Sequence, residues 1–305
     1  MIFHKPNWCM IRLLVLVLIF FTKSFNITAQ KVFYSADNLE VSIDDISRII
    51  TIGGSITETT FALGLGKNVV ATDVSSNYPE EIFKLPKVSY IRSLTAEGIL
   101  SLNPTLVLAS DDAKPKIVID QLRDAGLNFI LIKEGLEPSD IISKIIDLGF
   151  ILDRNIQADS IVQAINKKLN EARIIVDELV KKPKVLFVLS QQTPNSFLVA
   201  GSSTEASSII EFAGGINAFD NFSGYKPVTS ESLIEANPDF ILFMSSRGES
   251  LSHSLTETSM INTITAVKKN QIISMDGNFL LGFGPRFGEA VQTLLNHLHP
   301  DVYEH

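Results

Sequence analysis

The sequence predicts an α/β protein built as two Rossmann-like lobes with mainly parallel sheets, joined by one long α-helix. Three observations carry this prediction. Short, β-branched apolar runs alternate with amphipathic stretches. Segment 155–182 contains neither glycine nor proline, and a pattern in the first half of the chain recurs in the second. The implied organisation is a leader over 1–29, a first lobe over 30–154, a linking helix over 155–182 and a second lobe over 183–305.

Taken in order, Lys5 and Arg12 precede the apolar run LLVLVLIFF (13–21), and a polar stretch ending NITAQ follows. That order is the pattern of a secretory leader cleaved after Ala29, and the run is well short of the roughly 20 apolar residues that span a bilayer. RIITIGG (48–54) then reads as a strand, SITETTFALGLG (55–66) as a helix capped by Ser55 or Thr57, and NVVATD (68–73) as the next strand. PTLVLAS, NFILIKEG, PKVLFVLSQ, PDFILFMSS and NQIISMDG are further strands. Their near-continuous apolar character predicts burial on both faces, as in parallel sheets covered by helices. Segment 155–182, with Ile156, Ile161, Ile165, Leu169, Ile174, Val176 and Leu179 near helical spacing, predicts a strut on the order of 40 Å long that ends at Pro183. Lobes joined by such a strut would face each other across a cleft.

Composition narrows the function. Of 305 residues 45% are hydrophobic, enough for a large core. The only cysteine, Cys9, lies in the leader, so the mature chain could use no thiol as nucleophile or metal ligand. Loss of 1–29 removes three basic residues and no acidic ones, leaving 23 against 34 and a charge of −11. Nucleic acid is thereby disfavoured as a partner. Catalysis finds no support either: in GLGKNVVATD (64–73) the glycines follow a helix instead of joining strand to helix, so Asp73 does not complete a dinucleotide fingerprint. Ser55 and Ser190 follow strands but lie in no G-x-S-x-G elbow.

The internal repeat is more informative. LTAEGILSLNPTLVLAS (94–110) and VTSESLIEANPDFILFMS (228–245) share a Thr, a Glu two residues later, an apolar pair, Asn-Pro and a strand. Thr95 and Thr229 are placed as N-caps, with Glu97 and Glu231 in first turns that favour negative charge. Just upstream of each copy a tyrosine precedes a base, Tyr90 with Arg92 and Tyr225 with Lys226.

RIITIGGSITETTFALGLG, SYIRSLTAEGILSLNPTLVLAS, GYKPVTSESLIEANPD and MDGNFLLGFGPR together resemble the haem-binding periplasmic substrate-binding proteins of haemin ABC importers, across the whole mature chain. The resemblance implies the class III binding-protein fold and a periplasmic, monomeric, non-enzymatic carrier that captures haem between lobes and delivers it to a permease. It makes Tyr90 the iron ligand, since a phenolate is a hard anionic donor suited to ferric iron. Arg92 becomes its electrostatic partner or a propionate contact, and Tyr225 and Lys226 cover the second haem face. Arg286 is either a further cleft residue or the stabiliser of a turn made by Gly282, Gly284 and Pro285. Glu97 and Glu231 correspond to the carboxylates that dock each lobe on the permease. The chain departs from the family at Ser89, where the tyrosine is usually preceded by glycine. Of the mature histidines, His297 and His299 are expected at the surface of a terminal helix, and His253 is the one left for a second axial ligand. A siderophore-iron or cobalamin-type ligand is the alternative.

Overall fold

A computed structural model describes residues 31–193, 195–245 and 259–302. The leader and its cleavage site, His253 and His305 lie outside the described residues. Strands β1 (Lys31–Tyr34) and β2 (Glu40–Ile43) form a small ribbon. The first lobe's sheet is wholly parallel, with order β4-β3-β5-β6, from β3 (Ile49–Ile52), β4 (Val69–Thr72), β5 (Leu106–Ser110) and β6 (Asn128–Ile132). Its connections include α1 (Gly54–Ala62), α2 (Ala96–Leu100) and α3 (Lys116–Asp124). Helices α4 (Pro138–Ile151) and α5 (Asn155–Glu178) follow.

The second sheet is mixed. Its strands are β7 (Lys184–Thr193), β8 (Ser196–Ala200), β9 (Ile216–Asn217), β10 (Tyr225–Thr229), β11 (Phe240–Ser245) and β12 (Ile272–Asp276), in the order β10-β8-β7-β11-β12 with β9 beside β7. Around them stand α6 (Glu205–Phe212), α7 (Ser230–Ala236), α8 (Thr265–Lys268), α9 (Gly277–Leu281) and α10 (Phe287–Leu298). Strands β7, β9, β11 and β12 run parallel, whereas β8 is antiparallel to β7, and β10, paired antiparallel to β8, runs in the same sense as β7. A short hairpin joins β7 to β8, a connection open only to antiparallel neighbours.

The apolar runs are explained by period-two burial between two cores. Leu106 and Leu108 of β5 face one cluster and Val107 and Ala109 another; in β7, Val185 and Phe187 divide from Leu186 and Val188 in the same way. One of these cores is common to both lobes and includes Ile165 and Ala172 of α5. Helix α5 is pressed closely on both sides. A Cβ on Gly149 of α4 would stand 2.4 Å from the Ala158 Cβ, and one on Gly288 of α10 would stand 2.9 Å from the Lys168 Cβ.

Several local expectations change. The strut ends at Glu178, with Leu179 already extended, four residues before Pro183. Its buried stripe runs Ala158, Ile165, Ala172, Val176; Ile156 and Ile174 are exposed. The cap of α1 is Gly53 at φ 112°, not Ser55 or Thr57. Thr57 lies inside the first turn and its hydroxyl instead meets the Thr51 and Ser76 hydroxyls, each at 2.8 Å. His297 is exposed as expected, but His299 is buried at the end of α10, donating from Nε2 to the Gly214 carbonyl at 3.3 Å.

The repeat has a shared backbone cause. Thr95 and Thr229 cap α2 and α7 through their hydroxyls, which accept from Gly98 N and Ser232 N. The Asn of each Asn-Pro takes the left-handed conformation, Asn103 at φ 47° and Asn237 at φ 39°. Asparagine tolerates that region better than most side chains, and proline then prevents the helix from resuming.

Lys144 of α4 is 1% exposed and its ammonium bonds the Glu134 carboxylate, which also accepts from Ser55 Oγ at 2.6 Å. Glu134→Leu therefore strands a buried cation and is expected to cost about 3–5 kcal/mol in urea unfolding, with much of that loss recovered in the Glu134→Leu/Lys144→Met double variant. Burial holds the His299 imidazole below its ordinary value, so the unfolded chain takes up the proton first. Stability should fall as pH drops from about 6.5 through the lowered folded value, and thermal melts of His299→Gln should show a flatter profile over that window.

Candidate functional site

The first sheet's order reverses direction between β3 and β5, and in open α/β sheets ligands bind outside the carboxyl ends of strands at such a point. The cleft lies there. Gly53, Gly54 and Ser55 follow β3, Ser75 follows β4, Ser110, Asp111 and Asp112 follow β5, and Glu134, Gly135 and Leu136 follow β6. From the second lobe come Glu205 at the start of α6 and Asn278, Leu281, Gly282 and Phe283 after β12. The enclosed space is about 460 Å³, within the range of small-molecule sites.

The loop after β4 is built around Asp73, which is fully buried. Its carboxylate accepts from Gly53 N at 3.0 Å, Ser75 N at 3.0 Å, Ser76 Oγ at 2.6 Å and Ser75 Oγ. Lys87 lies nearby, donating to Thr72 Oγ1 at 2.6 Å. All of Asp73's acceptor capacity is thus spent on loop architecture, in keeping with the sequence argument against a dinucleotide site.

Tyr90 and Arg92 flank Ile91, which lines the cleft. The Tyr90 side chain is 54% exposed. Arg92 donates to Asp112 at 3.0 Å, but both side chains are well exposed, so this pair contributes little to stability. Ser89 sits at φ 153°, in the region that glycine occupies without steric cost, and its hydroxyl donates to the Ser93 carbonyl at 2.8 Å. The departure from glycine therefore keeps the glycine-type backbone and adds a hydrogen bond across the Tyr90 loop.

Tyr225 and Lys226 open β10, where successive side chains point to opposite faces. Tyr225 packs edge-on to Phe187 at 6.4 Å and its hydroxyl donates to Glu205 at 3.4 Å. Burial, then the Glu205 charge, pushes its phenol well above the ordinary range. Lys226 stands over Phe222 at 5.0 Å, on the side of a different core. The two are therefore not brought to one surface. Glu97 and Glu231 are exposed in the first turns of α2 and α7, away from the cleft lining.

Arg286 crosses between lobes. Its guanidinium forks onto Glu58 of α1, Nε to Oε1 at 2.9 Å and the second nitrogen to Oε2 at 2.7 Å, and its backbone N reaches Oε1 at 3.3 Å. The same group stacks on the Tyr78 ring at 3.6 Å, while Asn278 Nδ2 donates to the Ser75 carbonyl at 3.0 Å.

The floor is acidic. Burial, then the nearby Glu134 and Asp112 charges, raises the Asp111 carboxyl above its usual range, although its oxygen accepts from Glu134 N. Sequence reasoning did not single out Asp111, Asp112, Glu134, Glu205 or Glu58. Asp111 and Asp112 directly follow the predicted strand PTLVLAS and Glu134 falls near the end of NFILIKEG, which was the available signal; Glu58 looks like any helix glutamate until Arg286 is placed beside it.

Comparison with known proteins agrees with this architecture. The periplasmic heme-binding protein BhuT, solved with two hemes, is 37% identical and superposes with a TM-score of 0.77, over 83% of this chain and 98% of that one. The periplasmic heme-binding protein RhuT from Roseiflexus sp. RS-1, in apo form, is 33% identical with a TM-score of 0.78, over 84% of this chain and 99% of that one. A vitamin B12-binding protein of Vibrio parahaemolyticus is 26% identical over 85% of this chain and 92% of its own. The pattern of the periplasmic binding protein family matches residues 49–279, from the first parallel strand through the segment that closes the cleft, and the chain belongs to that family.

Proposed function

We propose that this protein is an extracytoplasmic haem carrier that captures haem between its lobes and presents it to an ABC importer. The observation that carries the reading is Tyr90, an exposed phenol on the loop that edges the cleft, with the Arg92 guanidinium two residues away. A phenolate oxygen is a strong ligand for ferric iron, and the metal itself drives loss of the phenolic proton. Tyr225, held protonated by burial and by Glu205, is the poorer iron ligand of the two. Likeness to heme-binding proteins at 33% and 37% identity supports haem. The vitamin B12-binding relative supports a second reading, a corrinoid held in the same cleft.

In the carrier reading Tyr90 ligates iron, Arg92 stabilises its charge or meets a propionate, Tyr225 backs the cleft residue Glu205 on the second-lobe side while Lys226 faces away, and Arg286 holds the lobes in register through Glu58. Glu97 and Glu231, at matching positions in the two repeats, meet the permease. The leader exports the chain to the periplasm, where it works as a monomer.

Haemin titration followed by absorption spectroscopy tests the ligand. Wild type should saturate with the spectrum of five-coordinate, phenolate-ligated ferric haem, and Tyr90→Ala should bind at least about tenfold more weakly and lose that spectrum. Absence of saturable haem uptake beside tight uptake of cobalamin would overturn haem in favour of the corrinoid. Docking is tested separately: the Glu97→Arg/Glu231→Arg double variant should keep haem affinity and lose most importer-dependent uptake. Unchanged uptake would remove these two residues from the docking surface.

A further inference from the structure

We propose that the second lobe carries a site for hydrogen phosphate at the amino ends of its parallel strands, built from Lys181, Lys269, Gln271 and His299. The site is separate from the cleft and independent of the carrier reading.

Two Lys-Lys pairs, Lys181-Lys182 and Lys268-Lys269, stand just ahead of β7 and β12. Those strands flank β11 and run parallel to it, so both pairs arrive at one edge of the sheet, beside Asp239 at the start of β11. The cleft takes its second-lobe residues from the opposite side, after the carboxyl end of β12. At the amino edge Lys181, Asp239, Lys269, Gln271 and His299 line a cavity of about 210 Å³, with Phe240 and Leu298 as apolar wall. That volume is below the roughly 300 Å³ at which sites for drug-sized ligands begin. It suits an ion of a few atoms.

The polar groups around this cavity are unspent. In a chain whose acids outnumber its bases by 34 to 26, neither the Lys181 nor the Lys269 ammonium is paired among the described residues. His299 is nine-tenths buried, and its Nε2–H is committed to the Gly214 carbonyl. Its Nδ1 has no protein partner and is not sealed in, so this ring nitrogen opens on the cavity that His299 lines. Gln271 divides in a similar way. Its amide oxygen is covered without a partner, which leaves the NH2, a donor, as the accessible half. Asp239 is the one carboxylate among the described residues of the lining, and its Oδ2 already accepts from Lys184 N at 2.9 Å.

Three donor groups therefore stand with two acceptors, His299 Nδ1 and the second Asp239 oxygen. Hydrogen phosphate satisfies both kinds. Its charged oxygens take hydrogens from the ammonium groups and the amide, and its P–OH donates to Nδ1 or to Asp239. Sulfate has the charge but no hydroxyl to give. The plain structural alternative is that the lysines are solvated surface charges and His299 only closes over Gly214.

Wild type, Lys181→Gln/Lys269→Gln and His299→Gln are titrated at pH 7 with phosphate and, at matched ionic strength, with sulfate, followed by thermal melts and by imidazole NMR signals. The His299 signal is assigned by its loss in His299→Gln. Phosphate should stabilise wild type saturably, shift the His299 signal and bind at least about fivefold more tightly than sulfate. The double lysine variant, altered only at exposed positions, should bind phosphate about tenfold more weakly or worse. A phosphate response that never saturates, that sulfate matches, or that persists undiminished in the double variant would overturn the site. Haemin titration bears on the carrier reading alone, since no residue of this site lines the cleft.

Discussion

The two lobes share one apolar core with the helix between them, and the site follows from that constraint. Leu106 and Ile130 of the first sheet, Ile165 and Ala172 of α5, and Phe187 and Leu242 of the second sheet belong to a single buried cluster. Wide opening of the cleft would draw some of this surface into water at roughly 25 cal/mol per Å². It would also break the Glu58–Arg286 fork, whose carboxylate is 8% exposed and loses much when its partner leaves. Motion in such a protein is restricted to small adjustments, so selectivity must come from a cleft that is largely formed before the ligand enters. Polar chemistry is confined to the carboxyl ends of the strands for the same reason: a core packed from both sheet faces has no place for it.

Charge around the cleft is already balanced in pairs. Arg92 faces Asp112, Lys144 faces Glu134 and Arg286 faces Glu58. Left over on the cleft side are Asp111, with its raised carboxyl, and Glu205, which accepts from Tyr225. An anionic group pushed to the floor would meet these carboxylates at low effective dielectric, where like charges repel strongly. The same group near the mouth would meet Arg92, exposed and salt-screened. In the carrier reading this gradient orients the ligand, apolar edge inward and carboxylates outward, with no basic residue among the described residues of the cleft lining.

Much of this was legible in the sequence because it depends on local rules. Apolar strands, threonine caps, the Asn-Pro exits and the uninterrupted helix each leave a signature within a few residues. What escaped depends on distant partners. Strand β8 was missed because a hairpin return onto a parallel sheet alters no local pattern and LVA in SFLVA is too short to stand out, and β10 was missed because YKPVT carries a lysine and a proline in place of an apolar run. Ile156 and Ile174 were counted in the helical apolar pattern because isoleucine is apolar, yet the helix is seated on Ala158, Ile165, Ala172 and Val176, and the small Ala158 allows the close approach of Gly149 of α4. His299 was taken for a surface residue because nothing nearby in sequence reveals that Gly214 covers it. The Glu58–Arg286 pair, spanning 228 positions, is the extreme case: each half reads as an ordinary turn or helix residue, and only the fold gives them a joint role.

The repeat shows how a rigid scaffold can carry information about its own state. In each lobe a threonine-capped helix ends on a left-handed asparagine and feeds a strand in the interior of its sheet, β5 in one and β11 in the other. The acidic residue in each first turn is therefore fixed to the strand behind it by a helix of only 5 or 7 residues, too short to bend. Both sheets are packed in turn on the core that α5 threads. The separation of Glu97 and Glu231 is thus a direct reading of how the lobes sit, with no flexible loop to blur it. A partner that grips both carboxylates at once senses even a small change in closure, because there is no slack between the gripped atoms and the strands whose ends line the cleft.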